Sequence, residues 1–284
     1  MAREFIGGPG RRIALVVHPE RTRAHELAKI ARAWWEQHDF EVIEDASVGG
    51  PDPTLLDKGV DLVVSLGGDG TMLRTVQLAA PHGIPVMGVN LGALGYLTQV
   101  EPNSIENAFE RLVKGDYQIE ERMTLDVLLN QPGATTSYVA LNDAVVEKTS
   151  LGHTIRLQLS IGGEPFLTYV ADGFLVATPS GSTAYNLSLR GPIASPRLAA
   201  LILTPIAPHQ LFDRSMILEP TESVRLDLIG ERPGVLIVDG LTNVGVDPGD
   251  SITVRADGRP ARVVSFGGEN FYGVLRSKFG LANR

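Results

Sequence analysis

Asp69 stands among glycines, in the run Leu66-Gly67-Gly68-Asp69-Gly70-Thr71, between a stretch that reads as a buried strand and one that reads as a helix. Glycine lets a backbone approach a phosphate closely, and a helix N-terminus supplies N–H donors and the positive end of a dipole. A carboxylate in such a loop has two uses in phosphoryl transfer. It faces a metal ion, or it takes the proton of an attacking hydroxyl. The plainer reading, that Asp69 caps the helix while the glycines make a turn, stays open beside it. Arg74 follows Thr71 by three positions and shares nearly the same helical face, so it points at a phosphate or simply at solvent.

A second constellation begins at Ala171-Asp172-Gly173 and continues through Thr178-Pro179-Ser180-Gly181-Ser182-Thr183-Ala184-Tyr185-Asn186. A strand ends in a Pro-Ser-Gly turn, after which hydroxyl residues open a helix. Free N–H groups, hydroxyls and an aromatic ring then fall within a few residues, a cradle suited to an anionic nucleotide. Taken singly, Ser182 reads equally as an N-cap and Tyr185 as a core residue. The six histidines show no metal-ligand spacing, and His153 alone reads as a surface turn residue. Asp239-Gly240 reads as a tight turn.

Taken together, GGDGT, then Asn142-Asp143, then DG followed by TPSGSTAYNLS, resemble the NAD kinase family in content, order and spacing, from about Leu62 to His209. The stretch 90–100, NLGALGYLTQV, also looks like that family's segment after its GGDG loop. GGDGT by itself is shared with diacylglycerol and sphingosine kinases; TPSGSTAY separates the cases. The resemblance implies phosphoryl transfer from ATP or polyphosphate to the adenosine-ribose 2′-hydroxyl of NAD, giving NADP, with a divalent ion, Mg²⁺, on the donor phosphates. It makes Asp69 the proton acceptor with Gly70 beside the same ribose, and it puts Gly67, Gly68 and Thr71 near the donor phosphates. Arg74, Asn142, Asp143, His153, Asp172, Ala207 and the stretch Thr183, Ala184, Tyr185, Asn186, Leu187 and Ser188 become NAD-binding. A homodimer or homotetramer is implied as well. Three departures stand out: Asp143 replaces the family's usual Glu, Arg190 stands where a glycine is common, and Leu241 replaces a side chain that is often polar. The alternatives carried beside the kinase are a non-catalytic NAD or NADP sensor, and a lipid or sphingoid-base kinase sharing the first loop.

The elements that must hold these residues change character along the chain. Up to about residue 118, strand-like runs (12–18, 40–43, 61–66, 84–89) alternate with helical patterns (22–38, 71–80, 103–114), which argues for an α/β domain with a parallel sheet. From 119 to 265 short strand-like runs dominate (123–129, 140–146, 155–161, 174–177, 224–228, 235–238, 251–256), punctuated by Gly162-Gly163, Pro248-Gly249 and similar turns, as in a β-rich domain. In the segment 266–284, Phe271, Leu275 and Phe279 recur at helical spacing, consistent with a C-terminal helix that packs back on the first domain. If 140–146 is a regular strand, Asn142 and Asp143 point to opposite faces and share one ligand only at a strand end or bulge.

Composition bounds the partners. The chain has 284 residues, no cysteine and a formal net charge of −8. Disulfides, thiolate catalysis and cysteine zinc sites are excluded, and a reducing cytoplasm is the compatible compartment. Such a charge gives no general attraction for nucleic acid or an anionic membrane, leaving small nucleotides as the expected partners. No apolar run is long enough to span a bilayer. The five apolar residues from Ile13 to Val17 are too few for a signal-peptide core, so the mature chain is expected to begin at its first residue.

Overall fold

The computed structural model describes residues 11–47, 52–92, 95–267 and 271–281. In chain order the strands and α-helices begin with β1 (Arg12–Val17), α1 (Thr22–Gln37), β2 (Glu41–Asp45), β3 (Leu62–Gly67), α2 (Asp69–Ala79), β4 (Val86–Asn90) and α3 (Ile105–Val113). Next come β5 (Gln118–Gln131), β6 (Ala134–Ala140), β7 (Asp143–Lys148), β8 (Ile155–Ile161), β9 (Glu164–Ala171), β10 (Gly173–Ala177) and the one-turn α4 (Tyr185–Ser188). The chain ends with β11 (Leu201–Ile206), β12 (Met216–Leu218), β13 (Ser223–Ile229), β14 (Gly234–Val238), β15 (Thr242–Val246), β16 (Ser251–Ser265) and α5 (Phe271–Lys278). It divides into two compact units, residues 1–121 with 261–284, and residues 122–260.

In the first unit the strands run parallel in the order β2-β1-β3-β4, and Val263, near the end of β16, pairs in parallel with Val86. The inner strands β1, β3 and β4 form where the sequence is largely β-branched and apolar, as expected for strands covered on both faces, while the edge strand β2 exposes Glu41 and Glu44. Alternation then sorts the side chains. Ile13, Leu15, Val64, Leu66, Met87 and Val89 share a core with Leu27, Ala31 and Trp35 of α1 and with Phe109 and Leu112 of α3. A Cβ built on Gly88, between Met87 and Val89, would instead meet Met72 of α2 at 3.1 Å. Helices α1 and α2 therefore cover opposite faces of the sheet. The loop after β3 opens at its carboxyl edge, where open α/β sheets bind their ligands. The tail forms α5, shorter than the expected helical stretch. Its Phe271 ring lies 6.1 Å from that of Tyr96, and the Lys278 ammonium sits 4.1 Å over the Tyr96 ring.

The second unit is a pair of packed antiparallel sheets. One has the order β12-β11-β10-β7-β14-β15; the other holds β13, β8 and β9 beside β16, with β5 paired to β16 and β6. Leu125, Val127, Leu157, Leu159, Leu226 and Ile252 from one sheet meet Ala144, Val146, Phe174, Val176 and Leu203 from the other. The intervening residues Val145, Leu175 and Ala177 face away from that core and pack with Ala194 and Ile206. Asp143 and Glu147 share this outer face by the two-residue period of β7. The expected strand 140–146 is interrupted: β6 stops at Ala140 and β7 starts at Asp143, which leaves Asn142 at a strand end. Among the described residues, no helix is long and apolar enough to cross a membrane.

Candidate active site

Gly67 ends β3, and Gly68 is the N-cap of α2 with extended backbone angles. Asp69 is the first residue of the helix and makes no capping bond. Its carboxylate turns to another segment: Oδ2 accepts the Tyr96 N–H at 3.1 Å and Oδ1 the Leu97 N–H at 3.3 Å. The capping alternative is thereby removed. Two backbone donors fix the direction of a half-buried carboxylate that sits at the positive end of α2. The donors come from the loop after β4. There the Gly67 carbonyl accepts the Leu91 N–H at 2.8 Å, Asn90 Oδ1 accepts the Gly92 N–H at 3.0 Å, and the Arg21 guanidinium donates to the Leu91 carbonyl. Gly95 approaches so closely that a Cβ there would stand 2.3 Å from Asp69 Oδ1.

The glycines of the loop differ in their reasons. A Cβ on Gly67 would meet Thr71 Oγ1 at 2.1 Å, so the buried Thr71 side chain occupies that space. Cβ atoms on Gly68 and Gly70 would meet no atom within 4 Å. Packing among the described residues therefore does not demand glycine at those two positions, and the space beside them is open. Arg74 is half-buried and forms no hydrogen bond or ion pair with the described residues.

In the second unit the backbone at residues 141–143 is held from outside its own strand. Asp239 Oδ2 accepts the Leu141 N–H at 2.9 Å, while Oδ1 accepts those of Asn142 and Asp143 at 2.7 and 3.1 Å. The Asn142 carbonyl in turn accepts the Thr178 N–H at 2.9 Å. A Cβ on Gly181 would fall 2.1 Å from that carbonyl, so only glycine lets the two segments touch. Asp143 is 4% exposed. Burial first, and then the charge of Asp239, push its carboxyl up to about 7, against the opposing pull of the Tyr185 N–H. The Tyr185 hydroxyl donates to Glu147 at 2.6 Å. Its own pKa is pushed up to about 12 by burial, by that bond, and by the charges of Glu147, Asp143 and Asp172. Asp172 pairs with Lys148 Nζ at 2.6 Å.

The expected helix from Ser182 onward is instead a 3-10 turn, Ser180–Thr183, followed by the single turn α4. Ser182 is not an N-cap. Its buried hydroxyl donates to the Ala194 carbonyl at 3.2 Å and accepts the Ala194 N–H at 3.0 Å. Asn186 is fully buried; its amide bonds the Ser182 and Pro192 carbonyls and accepts the Thr204 hydroxyl. Thr183, Ala184 and Leu187 are half-buried, and Ser188 is exposed. Tyr185, Asp143, Glu147 and Asp172 thus come together, whereas His153 lies exposed before β8 with no hydrogen bond, ion pair or ring contact among the described residues. Ala207 is exposed after β11 at φ +44°, a left-handed conformation that alanine seldom takes. Sequence reading gave no role to Gly95, Tyr96, Leu97, Glu147 or Lys148. For the first three the signal was the family-like stretch 90–100, with its glycine at Gly95.

Residues 13–117 match the ATP-NAD kinase N-terminal domain, and residues 141–266 match the ATP-NAD kinase C-terminal domain. The NAD kinase of Heliobacterium modesticaldum is 43% identical over 275 residues, spanning 94% of this chain and 97% of that protein. That of Moorella thermoacetica is 37% identical over 277 residues, spanning 94% and 88%. Among solved structures, yeast NADH kinase complexed with NADH superposes with a TM-score of 0.86 at 26% identity, covering 98% of this chain and 90% of that one. An NAD kinase from Archaeoglobus fulgidus in complex with ATP gives 0.74 at 28% identity, covering 95% and 97%.

Proposed function

This chain belongs to the NAD kinase family, phosphotransferases that phosphorylate NAD with ATP, and on that footing we propose that Asp69 takes the proton from the attacking 2′-hydroxyl of the adenosine ribose. The observation that carries this role is the pair of N–H bonds from Tyr96 and Leu97. They hold a half-buried carboxylate in one orientation beside the Gly68–Gly70 loop without using it as a helix cap.

The ribose oxygen attacks the terminal phosphorus of ATP, the bond to the bridging oxygen of ADP breaks in line with it, and the hydroxyl proton passes to Asp69. Phosphoryl transfer of this kind runs through a loose transition state, so positioning and charge stabilisation contribute most of the acceleration. Gly67, Gly68 and Thr71 lie at the donor phosphates with the α2 dipole behind them, Gly70 leaves room for the ribose, and Arg74 supplies a cation with no hydrogen-bond or ion-pair partner among the described residues. Asn142, Asp143, His153, Asp172, Ala207 and the stretch 183–188 hold the dinucleotide. In that stretch the buried Asn186 acts by fixing the local backbone, and Tyr185 offers its ring.

A divalent ion, Mg²⁺, would neutralise charge on the donor phosphates. Among the described residues no group of three His, Asp or Glu side chains is placed to hold a metal. Magnesium binds largely through the phosphates of its substrate, so the donor phosphates would carry the ion and Asp69 keeps the part of proton acceptor. We further infer a homodimer or homotetramer working in the cytoplasm, polyphosphate as a donor to test beside ATP, and no membrane or nucleic-acid partner, in keeping with the net charge of −8.

NADP formation from NAD, ATP and Mg²⁺ by wild type beside Asp69→Asn tests the assignment. Turnover should fall by about 10²–10⁴-fold with the fold intact. Equal rates would remove Asp69 from the reaction while leaving the kinase.

A further inference from the structure

We propose that Asp239 is a positioning residue for NAD binding: from a left-handed hairpin turn its carboxylate fixes the backbone that presents Asn142 and Asp143. This rests on the reading above that Asn142 and Asp143 bind the dinucleotide.

The geometry begins with the turn. Strands β14 and β15 pair up to Val238 and Thr242, and the Leu241 N–H closes on the Val238 carbonyl at 2.9 Å. Asp239 and Gly240 lie between, at φ +51° and +67°. Two successive left-handed residues define the hairpin turn whose twist matches that of the flanking strands. Glycine meets that demand freely and aspartate tolerates it. An ordinary hairpin would leave the first position's side chain in solvent. Here it is 7% exposed and turned toward the neighbouring strand.

That neighbour is β7, which pairs with β14 through Val238 and Ala144. One residue beyond the last pair, the Asp239 N–H donates to the Asp143 carbonyl at 2.9 Å, while the Asp239 carboxylate gathers the N–H groups of Leu141, Asn142 and Asp143. Three donors converging on one carboxylate replace the ladder bonds that a regular strand 140–146 would have made, and buried N–H groups require some such partner. Asp239 is therefore the physical reason the strand breaks at Asn142, so that Asn142 and Asp143 stand at a strand end.

The arrangement has an electrostatic corollary. The Asp143 carboxyl shares the buried end of β7 with the Asp239 charge. On the opposite side, β10 carries no titratable residue, and α4 contributes Tyr185, whose N–H meets the Asp143 carboxyl. Glu147 and Lys148 lie at the far end of β7, engaged by the Tyr185 hydroxyl and by Asp172. Asp239 is thus the charged neighbour that acts on the Asp143 proton. A group that only stabilised the fold would leave the ionisation of the NAD site alone.

The experiment measures kcat and KM for NAD and for ATP between about pH 5.5 and 9, for the wild type, Asp239→Asn, Asp239→Glu and Asp143→Ala. Asp239→Asn keeps the turn and removes the charge. Its KM for NAD should rise about tenfold with kcat nearly kept, and the acid limb of kcat/KM for NAD should move to lower pH. Asp239→Glu keeps the charge but displaces the acceptor, so KM should rise while the limb stays in place. If Asp239→Asn does not fold, Asp239→Glu carries the test. Wild-type KM for NAD in a folded Asp239 variant, or a uniform loss of kcat/KM with an unmoved limb in Asp239→Asn, overturns the proposal. Wild-type KM for NAD in Asp143→Ala overturns the ligand assignment itself and with it the purpose given to Asp239. A raised KM in Asp143→Ala beside unchanged Asp239 variants leaves that assignment standing and overturns this proposal alone.

Discussion

The N–H of Tyr96 reaches Oδ2 of Asp69 at 3.1 Å across 27 positions of sequence, and Gly95 is what lets it come so close. The loop after β4 therefore holds the candidate base, and the loop after β3 carries it. A side chain at position 95 would be driven into the carboxylate, because its Cβ would lie 2.3 Å from Asp69 Oδ1 and 2.7 Å from Thr98 Oγ1.

Gly95→Ala should accordingly lower kcat by about 10²-fold, the loss expected when a reacting group shifts by around an ångström. KM for ATP should change far less, because Gly67, Gly68 and Thr71 are untouched. Steady-state kinetics with a thermal melt to establish folding check this. A folded Gly95→Ala variant with wild-type kcat would mean that the orientation of Asp69 does not limit the reaction.

The loop glycines separate stability from activity. Gly70 lies in the first turn of α2, where an added Cβ meets nothing within 4 Å. Alanine is favoured over glycine in helices by up to about 1 kcal/mol, so Gly70→Ala should leave stability unchanged or raise it while activity falls. Gly67→Ala should do the opposite to stability, since its Cβ would collide with Thr71. Urea unfolding beside NADP formation reads both. Full activity in Gly70→Ala would show that the open space beside that residue is not used by the substrates.

The parallel strands and the glycine loop were legible because each is a local matter: β-branched runs, a helical period and a cluster of glycines between a strand and a helix. Asp239-Gly240 was legible as a turn for the same reason, and the structure bears that out. Its reach to residues 141–143 was not, because nothing in the sequence near Asn142 names a partner about a hundred positions away. The strands β6, β9, β11, β12 and β15 also escaped notice; β6, β9, β12 and β15 carry exposed and half-exposed residues that break up the apolar run, even though β6, β9 and β15 close hairpins with the strands before them. The helix expected after Ser182 gave way because Ser182 and Asn186 spend their polar groups on Ala194, Pro192 and Thr204, overriding local propensity. Arg190, noted as a departure from glycine, adopts φ +61°. The family's preference for glycine there follows from the backbone angle, which arginine endures at some strain.

Asp143 should also leave a mark on stability. Its carboxyl is pushed from the ordinary 3.8 to about 7 in the folded protein, by burial first and by the Asp239 charge second. Between those two values the folded state binds more protons at this site than the unfolded chain does. The contribution of this group to stability therefore falls as pH rises from about 4 to about 7, and is flat above. Asp143→Asn removes the titration but keeps an oxygen for the Tyr185 N–H. Urea unfolding of both proteins at intervals across that range should show the wild type losing stability relative to the variant as pH rises, with the gap constant beyond neutrality. Parallel curves across the whole range would mean that Asp143 ionises alike in both states and that the buried end of β7 is better solvated than its surroundings imply.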